Sequence, residues 1–90
     1  MKFEWDPHKA KLNLSKHRVS FAEAVTAVLD EFSKTAFDPD HSVSERRFVT
    51  FGVSARGRLL AVSYTDRGES IRIISARTAT KKEREIYEEH

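Results

Sequence analysis

The run Ile71-Arg72-Ile73-Ile74-Ser75-Ala76-Arg77, followed after Thr78-Ala79 by Thr80-Lys81-Lys82-Glu83-Arg84, decides how this chain is read. The β-branched residues at its start favour a strand. Thr80 with Glu83 three residues on is a capping box, the signature that opens a helix. The stretch therefore delivers arginines on a strand and feeds directly into a basic helix N-terminus. A strand end, an arginine and a helix start are the parts from which a phosphate site is assembled.

Upstream, the period-two pattern continues. Arg47–Ser54 places Val49, Phe51 and Val53 on one face, Ala55-Arg56-Gly57 reads as a hairpin connection to Arg58–Thr65, and Asp66-Arg67-Gly68 as another to Ser70–Arg77. Lys34–Phe37 is a further short strand, followed by the turn chemistry of Asp38-Pro39-Asp40-His41. Such close spacing makes the four strands an antiparallel meander. Phe3–Trp5 is a possible extra edge strand. The first half is helical. Asp6 caps a helix with Pro7 in its first turn, running to about His17. A second opens at the Ser20/Glu23 capping box, and Phe21, Ala24, Val25, Val28, Leu29 and Phe32 keep helical spacing throughout. The expected fold class is α+β: two N-terminal helices, a four-stranded antiparallel sheet and a C-terminal helix. One sheet face carries the helices and the other is left free for binding.

Ninety residues with 39% apolar and 33% charged side chains make one domain, 1–90, with a modest core. The absence of cysteine excludes disulfides and thiol chemistry and fits a reducing compartment. No signal-like or membrane-length apolar run occurs, so a cytoplasmic location is expected. The net charge of +2 conceals an asymmetry: residues 41–84 hold ten basic side chains, eight of them arginine, against four acidic ones. Arginine suits bidentate contact with phosphate, so this half is the candidate anion-binding surface; the alternative is a solubilising surface. The four histidines lack ligand spacing, which argues against a zinc site, and no Gly-rich phosphate loop or nucleophile motif is present.

Three segments carry a resemblance. Asn13-Leu14-Ser15-Lys16-His17 before Val19-Ser20-Phe21, then Asp38-Pro39-Asp40-His41-Ser42 with Glu45-Arg46-Arg47, then Ile73-Ile74-Ser75-Ala76-Arg77 with Glu83-Arg84 and Tyr87 resemble the BrnT toxins of type II toxin–antitoxin systems. Arg18 stands where that family usually has glycine, which bears on the turn between the first helices and not on the chemistry. The resemblance implies a RelE/ParE-like fold, a metal-independent endoribonuclease without cofactor, and a BrnA-type ribbon-helix-helix antitoxin as partner. DNA is then contacted only through the antitoxin. Alternatives are a non-catalytic nucleic-acid-binding module or a ParE-like topoisomerase inhibitor.

Metal-free RNA cleavage needs a base for the ribose 2′-hydroxyl, an acid for the leaving 5′-oxygen, and cations for the charge gathering on phosphorus. Arg77 is the first candidate for the phosphate clamp, the alternative being an ion pair with an acidic neighbour. Lys81 and Lys82 oppose the macrodipole in the first helical turn, a penalty that a bound phosphate, or Glu83 and Glu85, would offset. Arg84 either joins the clamp or pairs with Glu88. His41 is the candidate base or acid, against a solvated loop histidine, with Glu45 the alternative base. Tyr87 is a further acid or a stacking ring, and Arg47 and Arg58 line the sheet face. Strict alternation puts Arg72 opposite Arg77 unless a bulge intervenes.

Overall fold

A computed structural model describes residues 1–39 and 45–89. The chain runs β1 (Lys2–Glu4), α1 (Pro7–His17), α2 (Phe21–Val28), β2 (Lys34–Phe37), β3 (Arg47–Val53), β4 (Leu59–Asp66), β5 (Ser70–Thr78) and α3 (Lys81–Glu88). The five strands form one mixed sheet in the order β1-β5-β4-β3-β2. The four-stranded antiparallel expectation is corrected by β1, which pairs parallel with β5 through Lys2↔Ser70, Phe3↔Ile71 and Glu4↔Arg72. Trp5 lies beyond this edge strand and packs edge-on against Phe21, ring centroids 6.0 Å apart.

β1 stops at Glu4 and leaves the outer edge of β5 unpaired beyond Arg72. Asn13 of α1 fills the gap: its side chain donates to Ala76 O at 2.8 Å, accepts from Ala76 N at 3.0 Å, and donates to Val19 O at 2.9 Å. A buried amide thus substitutes for a strand and satisfies backbone groups that burial would otherwise penalise.

The core is the layer between α1/α2 and the sheet, built on Val19, Phe21, Ala24, Ala27, Leu60, Val62, Tyr64, Ile71, Ile73 and Ala76. Burying Phe21, at 1% exposure, is worth about 2–3 kcal/mol. Gly52 lets α2 lie directly on β3, since a Cβ there would fall 2.0 Å from Ala27 O. Helix α2 ends at Val28, four residues before the apolar pattern does. Asp30 accepts from Phe32 N at 3.1 Å and Val53 N at 2.8 Å, and this aspartate turn competes with helix continuation. Leu29 and Phe32 are consequently 63% and 68% exposed. The Ser20 box is only half formed: Ser20 accepts from Glu23 N, but the Glu23 carboxylate points elsewhere. Helix α1 closes on Arg18 in the left-handed conformation, φ 60°, a place that favours glycine.

Strand β5 breaks its alternation between Ile73 and Ser75, which pair with Tyr64 and Ser63 around one extra residue, Ile74. The bulge puts Ile71, Ile73 and Ala76 all in the core. Arg72 and Arg77, each flanking a core residue, therefore share the opposite face of the sheet, the arrangement that strict alternation forbade. That second face is not left fully free. Phe51, Leu59 and Ala61, which alternate away from the α1/α2 core, are 8%, 4% and 3% exposed. Helix α3 leaves β5, crosses this face towards β3, and is tethered at its far end where Tyr87 donates to Asp30 at 2.5 Å and Lys34 Nζ donates to Glu89 O. No residue of α3 is fully buried, and these polar contacts fasten its far end.

Candidate active site

The β5–α3 junction is built by one carboxylate. Glu83, at the third position of α3, folds back to accept from Thr80 N at 2.9 Å while Thr80 Oγ1 accepts from Glu83 N, completing the capping box. The same carboxylate receives Arg77 in a bidentate pair, Nη1 to Oε1 at 2.7 Å and Nη2 to Oε2 at 2.9 Å. The anion position formed by a strand-end arginine and a helix N-terminus is thus occupied by the chain's own glutamate. Arg77 holds the Glu83 carboxyl down to about 2, assisted by the Thr80 N–H, and Glu83 in turn raises Arg77 above its ordinary value. So depressed a pKa makes Glu83 a weak base, poorly matched to taking a proton at neutral pH.

Arg77 is fixed without being used up. A guanidinium offers five N–H donors; Arg77 Nη1 also donates to Thr78 O at 3.4 Å, and the side chain remains 43% exposed. Lys81, Lys82 and Arg84 stand beside it on exposed positions of α3 and make no ion pair among the described residues, so the Arg84–Glu88 pair does not form. Their charges sum with Arg77 to a basic rim at the start of α3.

The remaining candidates divide. Arg58 does not line the sheet face: it lies on the α2 side, where its Nε donates to Glu23 Oε2 at 2.9 Å and its Nη2 to Glu23 Oε1 and to Arg18 O. Ser54 Oγ donates to the same Glu23 carboxylate at 2.7 Å, and Arg58 foremost lowers its pKa. Arg47 sits on β3 opposite Thr65, on the second face. Glu45 pairs with Arg67 at 2.9 Å, at the end of the sheet away from Arg77, because the meander brings the start of β3 beside the end of β4. The Tyr87 hydroxyl is committed to Asp30, which pushes its pKa up to about 12 and makes it a tether for α3. His41 lies outside the described residues.

Sequence reasoning missed Asp30 as the α3 anchor and Glu23 as the Arg58 partner. Glu23 was visible as a carboxylate inside an apolar run, but its spacing from Ser20 made it read as a cap. Among the described residues no group of three or more His, Cys, Asp or Glu side chains could hold a metal, and no helix is long and apolar enough to cross a membrane.

The fold is similar to the crystal structure of the Brucella abortus ribonuclease toxin BrnT, with a TM-score of 0.65, 24% sequence identity, and coverage of 90% of this chain and 99% of that one. A comparison with curated proteins gave no match. The family model for the BrnT ribonuclease toxin of type II toxin–antitoxin systems matches residues 5–83. Spanning most of the sheet, the helix-covered core and the Arg77–Glu83 junction, that match establishes that the chain belongs to the BrnT ribonuclease toxin family.

Proposed function

We propose that this chain, as a single domain over residues 1–90, is a metal-independent endoribonuclease of the cytoplasm, held inactive by a BrnA-type ribbon-helix-helix antitoxin. The observation that carries the reading is Arg77, oriented by the two hydrogen bonds it donates to Glu83 and flanked by three exposed cations with no ion-pair partner among the described residues.

In the proposed reaction the ribose 2′-oxygen attacks the adjacent phosphorus as its proton leaves to a base. The bond from phosphorus to the 5′-oxygen breaks, and that oxygen takes a proton from an acid, giving a 2′,3′-cyclic phosphate and a 5′-hydroxyl. Arg77, with Lys81 and Arg84, stabilises the additional negative charge on the phosphoryl oxygens. Preorganised donors of this kind are worth about 3–4 kcal/mol in a transition state. Glu83 is a positioning residue: it fixes the guanidinium plane and, with its carboxyl held well below the ordinary range by Arg77, is too weak a base to compete for the proton. His41 is the assigned proton carrier. Glu45 is the second candidate and must leave Arg67 to act. Lys82, Arg47 and Tyr87 extend the contact with RNA beyond the scissile phosphate, whereas Arg58 is assigned to the fold.

The reading is tested by incubating an end-labelled RNA with the purified chain in EDTA, with and without equimolar antitoxin. Cutting in EDTA that the antitoxin suppresses is the expected result. Salt-sensitive binding without cutting supports the binding-module reading instead. Inhibition of DNA supercoiling by the pure chain, with RNA intact, supports the topoisomerase-inhibitor reading.

A further inference from the structure

On the second face, the buried Thr65 hydroxyl finds no hydrogen-bond partner among the described residues. Thr65 is 3% exposed. An orphaned buried hydroxyl is destabilising, and valine would keep its shape without that cost. Its surroundings give the hydroxyl a purpose. Across the sheet Thr65 pairs with Arg47 on β3 and with Arg72 on β5, so it lies between two arginines in a single row. Directly cross-strand side chains stand about 5 Å apart at Cβ, close enough for all three to meet one tetrahedral anion.

The row ends at Glu4, which holds Arg72 by a loose contact of 3.4 Å. Arg72 is 28% exposed and Glu4 is 42% exposed. That pair resembles the Arg77–Glu83 pair in kind but is longer and single-toothed, so an arriving anion competes with it more easily. Beyond the row Arg67 and Glu45 close the site at 2.9 Å. Ala61 pairs with Arg77 four residues before Thr65 on β4, which places the two sites about 13 Å apart along the strand at the usual rise per residue. An extended single-stranded nucleic acid covers that distance within a few nucleotides.

We infer that Arg47, Thr65 and Arg72 form a second phosphate subsite, which grips the RNA backbone a few nucleotides from the scissile phosphate held at Arg77. The inference rests on the ribonuclease reading for the identity of the strand. The subsite sets where along a single strand the enzyme engages and demands substrates long enough to span both sites. The Thr65 hydroxyl donates to a phosphoryl oxygen and so acquires the partner that the fold denies it.

The test measures binding of a 2′-O-methyl RNA, which cannot be cut, by the parent, Thr65→Val and Arg72→Ala, together with urea unfolding of each and displacement by inorganic phosphate. Thr65→Val is expected to bind RNA about three- to tenfold more weakly while unfolding at the same or higher urea concentration. Arg72→Ala is expected to lower the salt slope of binding by about one. Cleavage of RNAs of increasing length by the parent should rise once the strand spans both sites. Unchanged RNA affinity in Thr65→Val overturns the subsite, as does weakened displacement by inorganic phosphate with RNA binding intact. Failure of the parent to cut, with RNA binding still weakened by both variants, overturns the ribonuclease reading and leaves the subsite standing.

Discussion

Arg58 and Arg77 each hold a glutamate through two guanidinium nitrogens, yet the two pairs do different work. Glu23, the partner of Arg58, is 5% exposed at its side chain and also accepts from Ser54, so its charge is fully enclosed by donors. Arg58 spends a further hydrogen bond on Arg18 O, joining the α1–α2 turn to the β3–β4 connection. The Arg77 side chain is 43% exposed and sits at the edge of a cationic helix start. A paired arginine is therefore not evidence for or against a site. What separates the two is the degree of access: the glutamate is 5% exposed in the first pair and 18% in the second, and the arginine 31% against 43%.

Breaking each pair shows the difference most sharply. Arg58→Ala leaves Glu23 ionised and buried, and is expected to cost about 3 kcal/mol in urea unfolding, at the low end for buried pairs because Arg58 is partly exposed. Arg77→Ala is expected to cost at most about 1 kcal/mol, as befits a solvent-screened pair. Equal losses would erase the distinction. Tyr87→Phe removes the α3 tether and should cost about 1 kcal/mol. Because the folded hydroxyl ionises at about 12 rather than 10, the stability it contributes is present below pH 10 and is lost as pH rises towards 12. The variant should lack that alkaline dependence.

The acid limb contains the exposed pair's contribution beside those of Glu4, Glu23 and Asp30, whose carboxyls are also held below their ordinary values. Glu83 ionises at about 2 when folded and at 4.5 ordinarily, so its contribution is complete above pH 4.5 and fades as pH falls towards 2. Exposure of Arg77 limits the size to at most about 1 kcal/mol. Glu83→Gln should flatten that part of the stability curve, as followed by circular dichroism. The smallest expected change is a gain. Arg18→Gly relieves the left-handed residue that ends α1 and should stabilise the chain by about 0.5–1 kcal/mol, keeping the carbonyl that Arg58 uses.

Local signals made much of this molecule legible. Asp6 with Pro7, Ser20 and Thr80 mark real helix starts, and alternation with Gly57 and Gly68 at positive φ marks the meander. Long-range facts were not legible. The parallel pairing of β1 joins residues almost seventy positions apart, and no local pattern announces it. The end of α2 was hidden because Asp30 takes its partners from Val53 and Tyr87, far along the chain. At the site, the arginines and the Thr80/Glu83 box were visible. That Glu83 would serve helix and arginine together was not, since one carboxylate answers both local rules. The bulge at Ile74 moved Arg72 to the face of Arg77, and only the observed register reveals it.

The central claim is that Arg77, not Arg58, is the working arginine of this ribonuclease-family fold. End-labelled RNA incubated in EDTA with the parent, Arg77→Ala and Arg58→Lys, all confirmed folded, tests it directly. The account predicts a loss of about 100- to 1,000-fold in cleavage for Arg77→Ala, the magnitude of a lost charge-stabilising donor, and near-parental cleavage per folded molecule for Arg58→Lys. Equal cleavage by the parent and Arg77→Ala would contradict it.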